Sequence, residues 1–130
     1  ISKVMDALNN HKKSLKGSKI LVLGLAYKPD IDDVRESPSL ELIELLKEKG
    51  AKVDYNDPHI AQTHKQRDYD LKMKSIKLTA PSLQSYDAVV IATNHSDYDY
   101  PAIMEAAPLV FDTRNALGVA GRNHPKVLRL

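Results

Sequence analysis

Cysteine is absent from this chain of 130 residues, which removes disulfides, thiolate metal ligands and any cysteine nucleophile from its chemistry. Glycine is scarce, five residues in all, and no G-x-G-x-x-G is among them: Gly24 alone follows the first strongly apolar run, "KILVLGL". The usual glycine-rich phosphate cradle between a strand and a helix is therefore not signalled there. Every apolar run falls short of the roughly 18 residues that a membrane span takes, and no signal-peptide pattern opens the sequence. Neither sign of charge predominates. The 19 basic and 17 acidic residues are interspersed and leave a net charge of +2, without the basic stripe of a nucleic-acid binder or an acidic tail. The expectation is a cytoplasmic protein with neither nucleic acid nor membrane among its partners. Because the chain begins at Ile1 rather than Met, with Ile1, Val4, Met5 and Leu8 at helical spacing, it reads as a piece of something larger.

What is present, 42% hydrophobic and 28% charged residues, suits one compact domain with a core. "KILVLGL" (19–25) reads as a buried parallel strand. Ser37 is a candidate N-cap with Pro38 at the first helical position, and Leu42, Ile43, Leu45 and Leu46 form an apolar stripe that stops at Gly50. "AKVDYNDP" predicts a second strand halted by Asp57-Pro58, and the polar residues 59–75 carry little periodicity. "SIKLTA" predicts a short third strand, "PSLQSYD" a helical turn, "DAVVIATN" (87–94) a buried strand, "YPAIMEAAP" a helix and "LVFDT" (109–113) another strand, before a final "KVLRL". Strands alternating with helices imply an α/β fold: a doubly wound, mainly parallel, Rossmann-like sheet of five to six strands with helices on both faces.

Ligands of such sheets sit beyond the carboxyl ends of the strands, where the strand order reverses. The residues after each strand are therefore the ones to read: Tyr27 and Lys28; Asn56 and Asp57; Asn94 and His95; Arg114 and Asn115. Lys28 and Arg114 on one edge suit a phosphate group, since a guanidinium offers a fork of donors and an ammonium a mobile charge. Either is also an ordinary loop residue, and Arg114 has Asp112 beside it as an alternative partner. Asp30, Asp32 and Asp33 fail the calcium-loop spacing, because Val34 stands where the next ligand is needed and the glycine is missing; no metal site is expected. Asp57 resembles the ribose-binding acid of dinucleotide folds, although "NDP" is more simply a turn. His95 is either a rim contact or one more loop histidine beside His59, His64 and His124.

The motifs "GLAYKPDIDDVRESPSLELIELL", "VDYNDP", "AVVIATNH" and "VFDTRNA", in that order, together resemble the C-terminal, UDP-binding domain of the UDP-glucose/GDP-mannose dehydrogenase family. The "DTRNA" ending is most similar to bacterial members that oxidise UDP-N-acetylhexosamines for surface polysaccharide. The resemblance implies that residues 17–130 are a UDP-sugar-binding C-terminal domain and that 1–16 are the end of the inter-domain connecting helix and linker. It further implies a full-length enzyme that oxidises the sugar C6 alcohol with NAD. The NAD fingerprint and catalytic cysteine of that enzyme lie in an N-terminal domain, so no residue here is catalytic. By motif, Tyr27, Lys28 and Arg114 fall on substrate-binding positions, and Arg35 on a position that reaches the NAD of the neighbouring domain. Pro29 stands where some members carry a second lysine. Homo-oligomers are typical of the family, so an isolated domain acting mainly in assembly is a second reading. A receiver-like phosphoacceptor domain, suggested by Asp32-Asp33, lacks the acid at its third strand end.

Overall fold

A computed structural model describes residues 6, 16–25, 38–60, 62, 73–118, 121 and 124–129. Among the described residues, five strands, β1 (Lys19–Leu23), β2 (Lys52–Asn56), β3 (Ala88–Ile91), β4 (Val110–Asp112) and β5 (Val127–Arg129), alternate with the helices α1 (Pro38–Glu48), α2 (Ala80–Gln84) and α3 (Tyr100–Ala106). All pairings are parallel, in the order β2-β1-β3-β4-β5. The chain winds from β1 outward to β2, then returns past β1 to β3 and continues the other way. The order therefore reverses between β1 and β3.

The burial of each strand follows from its position. Ile20–Leu23 of β1 and all of β3 are buried, as a strand covered on both faces requires, and both are uninterrupted apolar runs. Ile20, Val22, Val90 and Phe111 pack under Leu40, Ile43 and Leu46 of α1. Leu21, Leu23, Val89 and Val110 point the other way, against Leu83 of α2 and Ile103 and Met104 of α3. Helices thus cover both faces, as the alternation of elements predicts. At the edge, β2 mixes Lys52, Asp54 and Asn56 with a buried Tyr55.

Each helix is bounded by local chemistry. Glu41 in the first turn of α1 and Lys47 in its last both complement the helix dipole. Its C-terminus closes in a Schellman arrangement at Gly50 (φ 90°): Gly50 N–H donates to Lys47 O at 3.0 Å and Ala51 N–H to Leu46 O at 3.1 Å. Thr79 and Ser82 form a capping box at α2, and Asp99 caps α3 through Ala102 N–H.

"SIKLTA" does not become a strand of the sheet. Ser75 makes only an isolated parallel bridge to Tyr55; Ile76 N–H does reach Tyr55 O at 2.9 Å. The Ile76 carbonyl, which a continuing ladder would use, instead accepts from the Asn56 side chain at 2.6 Å. Thr79 then turns the backbone into α2. Polar side chains thus outcompete the ladder on this edge, and the sheet has five strands.

Gly24 ends β1 with φ +95°, and a Cβ there would lie 2.3 Å from Thr93 Cβ and 2.7 Å from Thr93 N. Gly17 has a similar φ of +83° but open space around it. Gly24→Ala combines torsional strain with a backbone collision and should lower unfolding free energy by about 2–4 kcal/mol in urea titration. Gly17→Ala carries the torsional cost alone, about 1 kcal/mol. Equal losses in the two variants would show that the Thr93 contact contributes nothing.

Candidate functional site

The carboxyl ends of β1, β2 and β3 are tied together by their own polar groups. Ala92 and Thr93 N–H both donate to Leu23 O, at 2.9 and 3.2 Å, and Thr93 packs on Gly24. Gly24 N–H donates to Asn56 O and Leu25 N–H to Asp57 Oδ2, each at 2.8 Å. In a dinucleotide cradle these two amides would face the pyrophosphate. Here both are consumed within the protein.

Asp57 does more than form a turn. Its Oδ1 accepts from His59 N–H at 2.8 Å, as in an Asx turn. Its Oδ2 accepts from both Leu25 N–H and His95 Nε2 at 2.8 and 2.9 Å, which requires the His95 tautomer or charge state with a proton on Nε2. Asp57 is 2% exposed and His95 0%, so Asp57 is closed to a ribose and His95 is not a rim contact. Aromatic rings continue outward from the pair: His59 to His95 at 4.8 Å, His95 to Tyr98 at 5.8 Å and Tyr98 to Tyr100 at 5.9 Å between centroids. The Tyr98 hydroxyl donates to Asn56 O at 2.8 Å, and that of Tyr100 to the exposed Asn94 at 2.9 Å.

Beyond β4 a second buried carboxylate organises the backbone. Asp112, 2% exposed, accepts from Arg114 and Ala116 N–H through Oδ1 and from Leu117 N–H through Oδ2, at 3.0–3.1 Å. The turn places Asn115 at φ 54°. Thr113 Oγ1 reaches across to Ile91 O at 2.6 Å. Arg114 is exposed; Asp112 takes its backbone N–H, while its side chain crosses to β3 and donates from Nε to Ala92 O at 2.8 Å. The guanidinium is thereby held over the end of β3, one of the two strands that flank the switch point. Tyr27, Lys28 and Arg35 lie outside the described residues, as do Asp30, Asp32, Asp33 and Ser37. Of the residues selected by the family motifs, Tyr27, Lys28, Arg35 and Arg114, Arg114 alone is among the described residues.

A cavity of about 320 Å³ opens between α2 and α3, with Leu78, Leu83, Tyr98 and Ile103 in its walls. Asp97 and Asp99 also line it, whereas Arg114 does not. Carboxylates without a facing cation among the lining residues disfavour a diphosphate in this hollow.

Three tyrosines resist ionisation, Tyr55 and Tyr98 toward the carboxyl ends of the strands and Tyr86 just before β3. Burial, and then the Asp57 carboxylate, push the Tyr55 hydroxyl up to about 12. Burial followed by Asp57 raises Tyr98 further, and burial with the hydrogen bond to Asp54 raises Tyr86. A phenol whose pKa is raised on folding adds stability that is complete below its unfolded value near 10 and is lost as pH climbs through the folded value. Unfolding free energy should therefore fall from about pH 10 upward, and ultraviolet phenolate absorbance should show late-titrating groups among the six tyrosines. Simple titration of all six near pH 10 would contradict these placements.

The sequence profile described as the UDP-glucose/GDP-mannose dehydrogenase family, UDP binding domain, matches residues 21–119. The UDP-glucose 6-dehydrogenase of Rickettsia bellii is 34% identical over 110 residues, covering 81% of this chain and 25% of its own. The UDP-N-acetyl-D-mannosamine dehydrogenase of Campylobacter jejuni is 33% identical over 96 residues, 73% of this chain and 23% of its own. The chain spans about a quarter of the length of these relatives. Among solved structures, a UDP-D-ManNAc dehydrogenase from Pyrococcus horikoshii superposes with a TM-score of 0.68 at 27% identity, covering 89% of this chain and 26% of its own. An NDP-N-acetyl-D-galactosaminuronic acid dehydrogenase from Methanosarcina mazei shares the fold with a TM-score of 0.74 at 22% identity, covering 98% and 27%. With the profile matched from β1 through the turn after β4, the chain belongs to the UDP-glucose/GDP-mannose dehydrogenase family, in its UDP binding domain.

Proposed function

We infer that residues 17–130 are the C-terminal, UDP-sugar-binding domain of an NAD-dependent nucleotide-sugar 6-dehydrogenase, with residues 1–16 the end of the helix and linker leading from its N-terminal domain. The substrate is UDP-N-acetylglucosamine or UDP-N-acetylmannosamine, with UDP-glucose the alternative, oxidised to the uronic acid for surface polysaccharide, in an enzyme that assembles as a homo-oligomer. The observation that carries this reading is the exposed Arg114 guanidinium, tethered through Nε to Ala92 O beside the switch point where doubly wound folds bind their ligands.

The chain's part in the reaction is to bind and orient. Arg114 supplies charge-assisted donors to the diphosphate, and Lys28, on the loop that follows β1, supplies a second positive charge with Tyr27 beside it. Nε is the one bonded nitrogen of the Arg114 guanidinium among the described residues, so its terminal nitrogens serve the ligand. NAD, which accepts the hydride when bound, is held by the N-terminal domain. The absence of a G-x-G-x-x-G from the sequence supports that division, and Arg35 of this domain reaches toward the cofactor.

Calorimetric titration of the 130-residue chain with UDP should give a saturable heat, with uridine, lacking the phosphates, binding far more weakly. Arg114→Ala should weaken UDP by about 1.5–3 kcal/mol, the loss of charge-assisted hydrogen bonds, and Lys28→Ala by a similar amount. No saturable heat at millimolar UDP would overturn the reading. In the full-length enzyme, Arg35→Ala should raise the KM for NAD more than that for the UDP-sugar; a change confined to the sugar nucleotide would reassign Arg35.

A further inference from the structure

We propose that Asp57 and His95 are positioning residues for the sugar nucleotide: their buried bond holds the root of the loop that follows β1 at a set distance from Arg114. This rests on the UDP-binding reading and assigns it two residues that touch no ligand. One oxygen of Asp57, Oδ2, joins the exits of three strands, since Asp57 follows β2, Leu25 follows β1 and His95 follows β3. His59 N–H, donating to Oδ1, fixes the carboxylate from its other side, and Ser75 Oγ, accepting from Asp57 N–H at 3.0 Å, holds the backbone that carries it.

Sheet integrity alone does not call for such a pair. β1 and β3 are already joined by their ladder, by the two bonds to Leu23 O and by the contact of Thr93 with Gly24. Polar pairs buried at such a point are commonly no more stabilising than apolar residues of equal volume. What the pair adds is direction. It fixes the Leu25 amide, and residue 26 opens the loop that carries Tyr27 and Lys28. On the far side of β3, Ala92 O fixes the Arg114 side chain. Leu25 at the exit of β1 and Arg114 after β4 are thus referred to the same strand end, one through His95 and Asp57 and the other through Ala92. The groups facing the pair from neighbouring elements are His59, with Asp97 3.7 Å from its Nε2, and Tyr98.

The test compares His95→Leu with His95→Gln by UDP calorimetry below their melting midpoints, and follows hydrogen exchange at the Leu25 amide. His95→Leu removes the donor to Asp57 and should raise the UDP Kd about tenfold, the loss of one charge-assisted hydrogen bond's worth of positioning. His95→Gln retains a donor at the Nε2 position and should recover most of that affinity, even where its melting midpoint stays low. Leu25 exchange should quicken in His95→Leu and stay slow in His95→Gln. Should His95→Leu fail to fold, the wild-type chain supplies the decisive measurement: by reciprocity, saturating UDP must slow Leu25 exchange. A UDP Kd for folded His95→Leu within twofold of wild type, or Leu25 exchange indifferent to bound UDP, overturns the positioning role while leaving UDP binding intact. A wild-type chain that takes up no UDP overturns the UDP-binding reading instead.

Discussion

The contact between Gly24 and Thr93 is the constraint around which this domain is arranged. A doubly wound sheet must place its first and third strands side by side, and where they end, their backbones approach until no side-chain atom fits on one of them. Thr93 N–H can then share Leu23 O with Ala92 N–H, which draws the two exits together and closes the floor of the switch-point crevice. A ligand must consequently rest on top of this floor and be held by side chains from the surrounding loops. Gly24 is thus spent on strand-to-strand approach, and in the UDP-binding reading recognition falls to residues such as Arg114.

Around that floor the backbone polar groups are satisfied by two carboxylates used in the same way. Asp57 collects Leu25 N–H, His59 N–H and His95 Nε2, and Asp112 collects three successive-turn amides of residues 114–117. Buried amides left without acceptors would each cost about 1–3 kcal/mol. An aspartate with two oxygens and several lone pairs is the compact way to receive three donors where strands give way to loops. These two acids at the carboxyl edge are thereby withdrawn from solvent, whereas Arg114 on the same edge is exposed.

How much of this was legible in the sequence depended on whether the signal was local. The uninterrupted apolar runs of β1 and β3, Pro38 at the start of α1, Gly50 at its end and the alternation of elements each announce a backbone state through a few adjacent residues, and together they imply the fold class. Strand order is not local, since it depends on which faces meet after collapse. "SIKLTA" misleads because its β-forming side chains say nothing of the Asn56 side chain that takes the Ile76 carbonyl from the neighbouring edge. At the site, Arg114 is visible as a base after a strand. The Asp57–His95 pair is not, because its members stand 38 positions apart and each has an ordinary loop explanation. The available hint was positional: both directly follow strands that flank β1.

In the UDP-binding reading, the tether of Arg114 to Ala92 separates holding from binding within a single side chain. Its anchor is a main-chain carbonyl, so the aim of the guanidinium is indifferent to which side chain occupies position 92. The same division of labour is unavailable to lysine, whose one nitrogen would have to choose between the carbonyl and a ligand. Position 114 is therefore a place where charge alone is insufficient: preserving the function there means preserving a planar group with several nitrogens, and a change that keeps the formal charge would still lose either the aim or the grip.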